Sequence, residues 1–512
     1  MRMASRGIAW PAILAAALGV ATALSFAPFP FHFLPFLTLG GVIILWQKSQ
    51  SRFGAMLIGL AYGLGLMCAG MNWIYVSLHD FGGMPSAIAM FCTFLLSLVL
   101  AVFPALVGYF QHSFGAQGKL QALVVIPALW ALFEWLRGWV LTGLPWLSLG
   151  YAQVADGWLA SYAPLVGVFG VSLIIAMMAG VVATILIAIP RKDLRSIFIA
   201  GTIAAIVLVG NMALSRIQWT QPLGAPISVS LLQGNITQDI KWKPETIEST
   251  LLTYRDLTLA SKSKLTILPE TAFPVLLEQM PEEYLAELRE HAKNMGGDIL
   301  FGIPESTGPS IYHNSVLSLG VSPAQTYRKT HLVPFSEFIP LKWLIGWVYD
   351  DLLNMPLADF TAGAIDQKPF SVAGQKIAMT NCYEDLFGEE VIRKLPEATM
   401  LANVSNDAWF GHSWGPQQHA QIAQMRALET GRYLLRATNT GVTAIIDQHG
   451  RSVSRAPEFT RTALNGTAQG FTGATPYVRF GNYPVVLLSL AMLVLAIALR
   501  NRRTRRDDLY FD

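Results

Sequence analysis

Residues 376–387 read K-I-A-M-T-N-C-Y-E-D-L-F. Lys376 to Thr380 is β-prone and Asp385 to Leu395 is helix-prone, which places Cys382 at a strand-to-helix elbow. Such elbows are the repeating joint of α/β domains, and strand ends are where those folds carry reacting groups. A thiol there can face the positive end of the following helix, which favours the thiolate. The competing reading is a small buried hydrophobe. Asn381, Tyr383, Glu384 and Asp385 surround the cysteine and argue against purely apolar burial.

The same alternation extends outward on both sides. Ile227 to Leu232 alternates as a half-buried strand, and Glu245 to Ala260 has a helical pattern. Leu265 to Pro269 reads as a strand ending at Glu270; Glu282 to Asn294 is a helix closed by Gly296-Gly297, and Asp298 to Ile303 is a strand. Further strands are expected at 313–319, 324–329, 376–381, 398–404 and 442–447, with helices at 385–395 and 417–432. Strands and helices alternating over residues 226–470 predict a layered α/β domain.

The rest of the chain is of another kind. Across 512 residues, 53% are apolar and only 13% charged, about half the charge usual in a globular protein. Runs long enough to cross a bilayer occur at about 8–25, 31–46, 54–77, 86–110, 121–140, 163–189, 194–214 and 484–499. The first, behind Arg2 and Arg6, could serve as a secretory signal, but Pro28 follows the candidate Ala27 and spoils the cleavage site. The expected division is a seven-span bundle at 1–218, an α/β domain at 219–475, and a last span with a basic tail at 476–512.

Lysines and arginines occupy alternate gaps: Arg2 and Arg6, Lys48 and Arg52, Lys119, Arg191 to Arg195, and the arginines from Arg500 to Arg506. Residues 26–30, 78–85 and 141–161 hold none, so both termini are expected in the cytoplasm and the α/β domain outside it. The gaps on that outer side are rich in glycine and aromatics, and Glu134 and Arg137 stand three residues apart near one of them. A net charge of +3 gives no reason to expect nucleic acid. Cys68 and Cys92 lie in apolar runs, leaving Cys382 without a soluble partner; neither a disulfide, a metal site nor a cofactor is expected.

Three ionisable residues stand at predicted strand ends: Glu270 in L-P-E-T-A-F-P, Lys329 in Y-R-K-T-H-L-V-P-F-S-E-F-I-P, and Cys382. They suit one chemistry. A carboxylate shielded from water has a raised pKa and can take the thiol proton, the sulfur attacks a carbonyl, and the ammonium stabilises the oxyanion. Spacings of 59 and 53 residues suit separate converging strands without demonstrating them.

P-E at 269–270, K-T-H-L-V-P-F-S-E-F-I-P at 329–340, N-C-Y-E at 381–384, S-N-D-A-W-F-G at 405–411 and H-A-Q-I-A-Q-M-R-A-L-E at 419–429 resemble motifs of the nitrilase, or carbon–nitrogen hydrolase, superfamily. Together with the eight apolar runs, N-W-I-Y-V-S at 72–77, F-G-G-M-P at 81–85, E-W-L-R-G-W-V-L-T-G-L-P-W at 134–146 and T-G-A-T-P-Y at 472–477, the chain resembles the apolipoprotein N-acyltransferase family over nearly its full length. The resemblance implies an α-β-β-α sandwich beside the membrane bundle, set in a bacterial inner membrane with its catalytic domain in the periplasm. It also implies a two-step acyl transfer. Cys382 would take a fatty acyl chain from a phospholipid, typically phosphatidylethanolamine, and pass it to the α-amino group of a diacylglyceryl-cysteine at a lipoprotein N-terminus.

On that resemblance Glu270 is the general base, Lys329 holds the oxyanion, and Glu337 orients Lys329 or is simply an exposed loop carboxylate. Tyr383 and Glu384 flank the nucleophile, either in its chemistry or as support for the elbow. Trp242 matches a tryptophan near the site, with core packing as the alternative. Apolar loops that could keep water from a thioester are Trp242, Leu341 to Phe360, and Trp409 to Trp414. His331 and His419 read as structural histidines, Asn406 and Asp407 as braces of a strand end, and Arg426 with Glu429 as a helix pair. Two rival readings are a membrane-tethered amidase, which gives no reason for eight spans, and a transporter or scaffold, which gives no reason for an intact Glu-Lys-Cys set.

Overall fold

The structure, a computed structural model, describes residues 2–114, 118–340, 342–343 and 359–508, with side chains from 9 to 501. Leu341 and Trp347 of the expected apolar loop lie outside the described residues. The chain forms two compact units: Met1–Asn72, Met90–Ile217 and Arg479–Asp512 make one, and Trp73–Ala89 with Gln218–Val478 make the other.

The first unit is helical. Helices occupy most of each of the eight apolar runs, among them Arg2–Ala23, Leu34–Lys48, Ala163–Ala188 and Leu194–Leu214. Among the described residues, five helices are long and apolar enough to cross a membrane: Arg52–Gly70, Ser86–Ser113, Ala160–Ala188, Leu194–Leu214 and Tyr483–Asn501. Ala9–Ala23 and Leu34–Lys48 are shorter, and the run at 121–140 divides into a π-helical turn, Gln121–Val125, and a helix, Ile126–Arg137. Small residues let these helices touch backbone to backbone; a Cβ on Gly65 would lie 2.1 Å from the Ala16 carbonyl, and one on Gly59 2.3 Å from that of Pro104. Outward faces carry bare apolar side chains, such as Phe198, Ile206, Val209 and Met212, as lipid contact requires. Glu134 and Arg137 are buried with separate partners. Glu134 accepts from Trp130 Nε1 and Leu149 N–H, and Arg137 donates to Trp146 O and Ser148 Oγ.

The third apolar run stops sooner than its hydropathy suggests. Its helix ends at Gly70, and the chain continues as a short helix, Trp73–Val76, and a π-helical turn, Ser77–Phe81, that belong to the second unit. There Trp73 meets Phe410 edge-on at 4.6 Å, and Ser77 Oγ donates to Trp409 O at 2.8 Å.

Among the described residues, twelve strands build the second unit: β1 Thr220–Gln233, β2 Leu265–Ile267, β3 Asp298–Gly308, β4 Ile311–Gly320, β5 Thr326–Arg328, β6 Phe370–Val372, β7 Gln375–Asn381, β8 Met400–Ser405, β9 Leu434–Thr438, β10 Ala444–Ile446, β11 Ser452–Arg455 and β12 Thr462–Gly473. They form two six-stranded sheets, ordered β12-β1-β2-β3-β4-β5 and β11-β10-β9-β8-β7-β6. Each has a parallel centre, β1-β2-β3 in one and β7-β8-β9 in the other.

Strand periodicity explains the layering. Leu300 of β3 joins Ile377, Met379, Met400, Ala402 and Val404 in a core between the sheets. Its neighbours Ile299 and Phe301 point the other way, onto Tyr254, Leu288 and Ala292 of the helices Pro244–Ala260 and Glu282–Asn294. On the second sheet, Ala378, Leu401 and Leu434 turn outward against Ala420, Ala423 and Ala427 of the helix Gly415–Thr430. The order is helix, sheet, sheet, helix.

Two local expectations need correction. The helix expected at 385–395 is broken into a 3-10 turn, Cys382–Leu386, one α turn, Gly388–Val391, and another 3-10 turn, Ile392–Lys394. Carboxylates bonded back to the chain at the start and Pro396 at the end leave no room for a regular helix. Strands β6, β9, β11 and β12 went unread, β9 because Arg436 interrupts its apolar run.

Candidate active site

Each candidate residue follows directly from a strand of the sandwich. Glu270 lies three residues past β2, Lys329 immediately after β5, and Cys382 immediately after β7. Inter-sheet packing converges these ends: Glu270 and Lys329 come from one sheet and Cys382 from the other.

Glu270 is held on both oxygens. Oε1 accepts from Asn314 Nδ2 at 2.8 Å and lies 3.5 Å from Lys329 Nζ, and Oε2 accepts from Asn406 N–H at 3.0 Å. Lys329, 1% exposed, donates to Glu337 Oε1 at 2.9 Å, which also accepts from Asn314 Nδ2 at 2.9 Å. Glu337 Oε2 accepts from Val333 N–H, so this carboxylate is a buried part of the cluster rather than an exposed loop group. Asn314 is itself oriented by Asn381 Nδ2, which donates to its Oδ1 at 2.9 Å.

The charges follow from these neighbours. Burial pushes the Glu270 carboxyl up, but Lys329, Asn314, Lys241 and the Asn406 N–H outweigh it and hold the group below its ordinary value. The raised value expected from shielding alone is therefore corrected. Burial would strip the proton from Lys329, yet Glu337 and Glu270 keep it an ammonium. Burial and Glu270 together push the Cys382 thiol well above its ordinary range, with Lys329 pulling back. Burial and the Glu270 charge therefore oppose the thiolate expected from a helix end, and the element that begins at the cysteine is only a five-residue 3-10 turn, Cys382–Leu386. The resting set is carboxylate, ammonium and thiol. Sulfur can give its proton to Glu270 as it attacks a carbonyl, with Lys329 facing the oxygen that becomes negative.

The elbow is strained and braced. Cys382 has φ +53°, a left-handed conformation that costs a non-glycine residue of order 1–3 kcal/mol. Its carbonyl accepts from Asn403 Nδ2 at 3.0 Å, and His419 Nε2 lies 3.3 Å away. Glu384 accepts from Asn381 N–H and Tyr327 OH on one oxygen, and from Thr330 N–H, Thr330 Oγ1 and His331 N–H on the other. It thus ties the elbow to the chain beside Lys329. Tyr383 is buried against His331 and Phe387, and Trp242 is half exposed with its ring 6.0 Å from Lys241 Nζ.

The match to known proteins spans both units. Residues 18–181 match the apolipoprotein N-acyltransferase N-terminal domain family, and residues 228–477 match the carbon–nitrogen hydrolase family. A protein of Nitrosomonas europaea named apolipoprotein N-acyltransferase is 50% identical over 501 residues, covering 97% of this chain and 99% of that one. The chain belongs to the apolipoprotein N-acyltransferase family. Relatives of that name from Chromobacterium violaceum and Methylococcus capsulatus are 45% and 44% identical, covering 94% and 96% of their lengths. A Nesterenkonia AN1 amidase of the nitrilase superfamily has a TM-score of 0.36 at 17% identity, covering 50% of this chain and 95% of that one. Membership of the family through the helical unit as well as the hydrolase unit sets the protein apart from a tethered amidase.

Several residues of this cluster have no clear signal in the sequence. Asn314 sits on β4 with no motif around it. Lys241 precedes Trp242 in a loop, where a lysine carries no sequence signal of burial. Behind the elbow His419 touches Asp407 with Nδ1 and Asp385 with Nε2, both at 3.0 Å, and Arg436 bonds both carboxylates and Asn403. An arginine inside the apolar strand L-L-R-A-T was the one available signal, because a buried guanidinium requires carboxylates nearby.

Proposed function

We propose that the protein transfers a fatty acyl chain from a phospholipid, phosphatidylethanolamine among the candidates, to the α-amino group of a diacylglyceryl-cysteine at a lipoprotein N-terminus. The observation that carries this reading is full-length similarity to apolipoprotein N-acyltransferases, joined to a buried Glu270–Lys329 pair beside the half-buried Cys382.

In the first step Glu270 accepts the thiol proton and Cys382 Sγ bonds to the ester carbonyl carbon. Lys329 stabilises the oxyanion, and the intermediate expels the lysophospholipid alkoxide, which takes the proton back from Glu270. In the second step the acceptor amine attacks the thioester, Glu270 takes its proton, and Cys382 leaves and recovers that proton. Glu337 orients Lys329, Glu384 fixes the elbow, and Tyr383 and Trp242 line the approach. The bundle serves as more than an anchor, since lipid substrates reach the site from the bilayer. The alternating basic gaps support an inner-membrane topology with cytoplasmic termini and the hydrolase unit in the periplasm.

Intact mass after incubation with phosphatidylethanolamine tests the reading. A hydroxylamine-sensitive gain of one acyl chain, absent in Cys382→Ala, is the expected result. Hydrolysis of soluble amides with no adduct would make the protein an amidase.

A further inference from the structure

The cluster around Glu270 contains a second buried lysine that the acyl-transfer steps do not use. Lys241 is 1% exposed, and its Nζ donates to the main-chain oxygen of Glu270 at 3.3 Å and to Thr271 Oγ1. A buried ammonium is costly unless paired, so its place here calls for a reason. Two features of the site supply one.

The first is conformational. Thr271 has φ +43°, in the left-handed region that a β-branched residue rarely enters. The turn lies directly on β3, where even a Cβ on Gly302 would come within 2.5 Å of Thr271 N and 2.6 Å of Pro269 O. Such a turn persists only where surrounding contacts over-determine it. Lys241 bonds both residues of the turn from the loop after β1.

The second is charge. Lys329 alone faces two carboxylates, Glu270 and Glu337. Lys241 supplies the second positive charge, and the titratable groups whose charges reach it are Glu270 and Cys382. Resting on the acyl-transfer reading, we infer that Lys241 is a positioning residue for the general base: it pins the strained Glu270–Thr271 turn and holds the Glu270 carboxylate ionised. Burial lowers Lys241 to about 8, with Glu270 and Cys382 opposing that shift, so the residue is cationic at neutral pH and loses its charge in mild alkali.

The test uses the full-length protein in lipid nanodiscs, comparing wild type, Lys241→Met and Lys241→Arg by acyl-enzyme formation across pH. Lys241→Met is expected to slow acylation about tenfold or more, with KM for the lipid changed by less than about twofold, and to move the acidic limb of the rate profile up by about one pH unit. Loss of a nearby positive charge raises the Glu270 pKa, hence the upward direction. Lys241→Arg should recover most of the rate and return the limb. A wild-type rate and profile in Lys241→Met would overturn the inference, as would equal damage in both variants with an unmoved limb. Should Lys241→Met fail to fold, Thr271→Val decides: an upward-shifted limb supports the role and an unchanged limb removes it. Iodoacetamide alkylation of Cys382, slower in Lys241→Met, separates this inference from the function itself. A wild-type protein that never gains an acyl chain fails the proposed function, whereas alkylation still reports the effect of Lys241.

Discussion

At the residue scale the site is built by neutralising charge under burial. Glu270, Lys329 and Glu337 are each under a tenth exposed, and each finds its partner within the cluster. The carboxylate is therefore held ready and the thiol stays protonated, so sulfur becomes nucleophilic only when its proton has somewhere to go. Glu270→Gln preserves the shape and the Asn406 contact but cannot take that proton. Thioester formation in this variant should fall by roughly 10²–10⁴ with little change in thermal unfolding, and near-normal acylation in an intact-mass assay would remove Glu270 as base. The residues of this scale were partly legible. Glu270, Lys329 and Cys382 announce themselves because ionisable groups at strand ends are conspicuous. Asn314 and Lys241 do not, because an asparagine on a strand and a lysine in a loop are ordinary until their neighbours are known.

At the element scale, two turns that carry candidate reacting groups have left-handed non-glycine residues, Thr271 beside Glu270 and Cys382 itself. Each is supported from behind. For Cys382 the support is a buried quartet of His419, Asp385, Asp407 and Arg436. Both ring nitrogens of His419 face carboxylate oxygens, and both can donate only as imidazolium. Burial and Arg436 oppose that charge, yet Asp385 and Asp407 raise His419 from 6.5 to about 9. A raised pKa contributes stability that is complete below about 6.5 and is lost as pH climbs through about 9. Asp407, held down by Arg436 and His419 against burial, contributes stability above its ordinary carboxylate pKa and loses it in acid. Denaturant unfolding of His419→Leu should show a loss of about 3–5 kcal/mol at pH 6 that narrows by pH 9.5, and a pH-independent deficit would contradict the buried imidazolium. Gly302→Ala probes the other turn. Its Cβ would press on Thr271 N and Pro269 O, so β3 or the base must move. The expected cost is about 1–3 kcal/mol with at least a tenfold loss of acylation, and a fully active variant would show that the turn has room.

At the scale of the whole molecule, a hydrolase-type cluster serves acyl transfer only if the acyl-enzyme waits for an amine instead of meeting water. On the proposed function, association with the membrane supplies the lipid substrates, and shielding of the thioester from water keeps it for the amine. A reporter fused after Asp512 should behave as cytoplasmic and one inserted near Gly470 as periplasmic; the reverse pattern would overturn the topology drawn from lysine and arginine.

The sequence alone determined the membrane class, the α/β nature of residues 226–470 and the three candidate reacting residues, because hydropathy, periodicity and strand-end position are local properties. Tertiary structure decided the rest. It ended the third apolar helix at Gly70, since Trp73 and Ser77 find partners in Phe410 and Trp409, far along the chain. It broke the helix after Cys382, buried Glu337, and reversed the expected direction of the pKa shifts of Glu270 and Cys382. Each of these depends on groups distant in sequence and close in space, and electrostatic energy is set by that closeness.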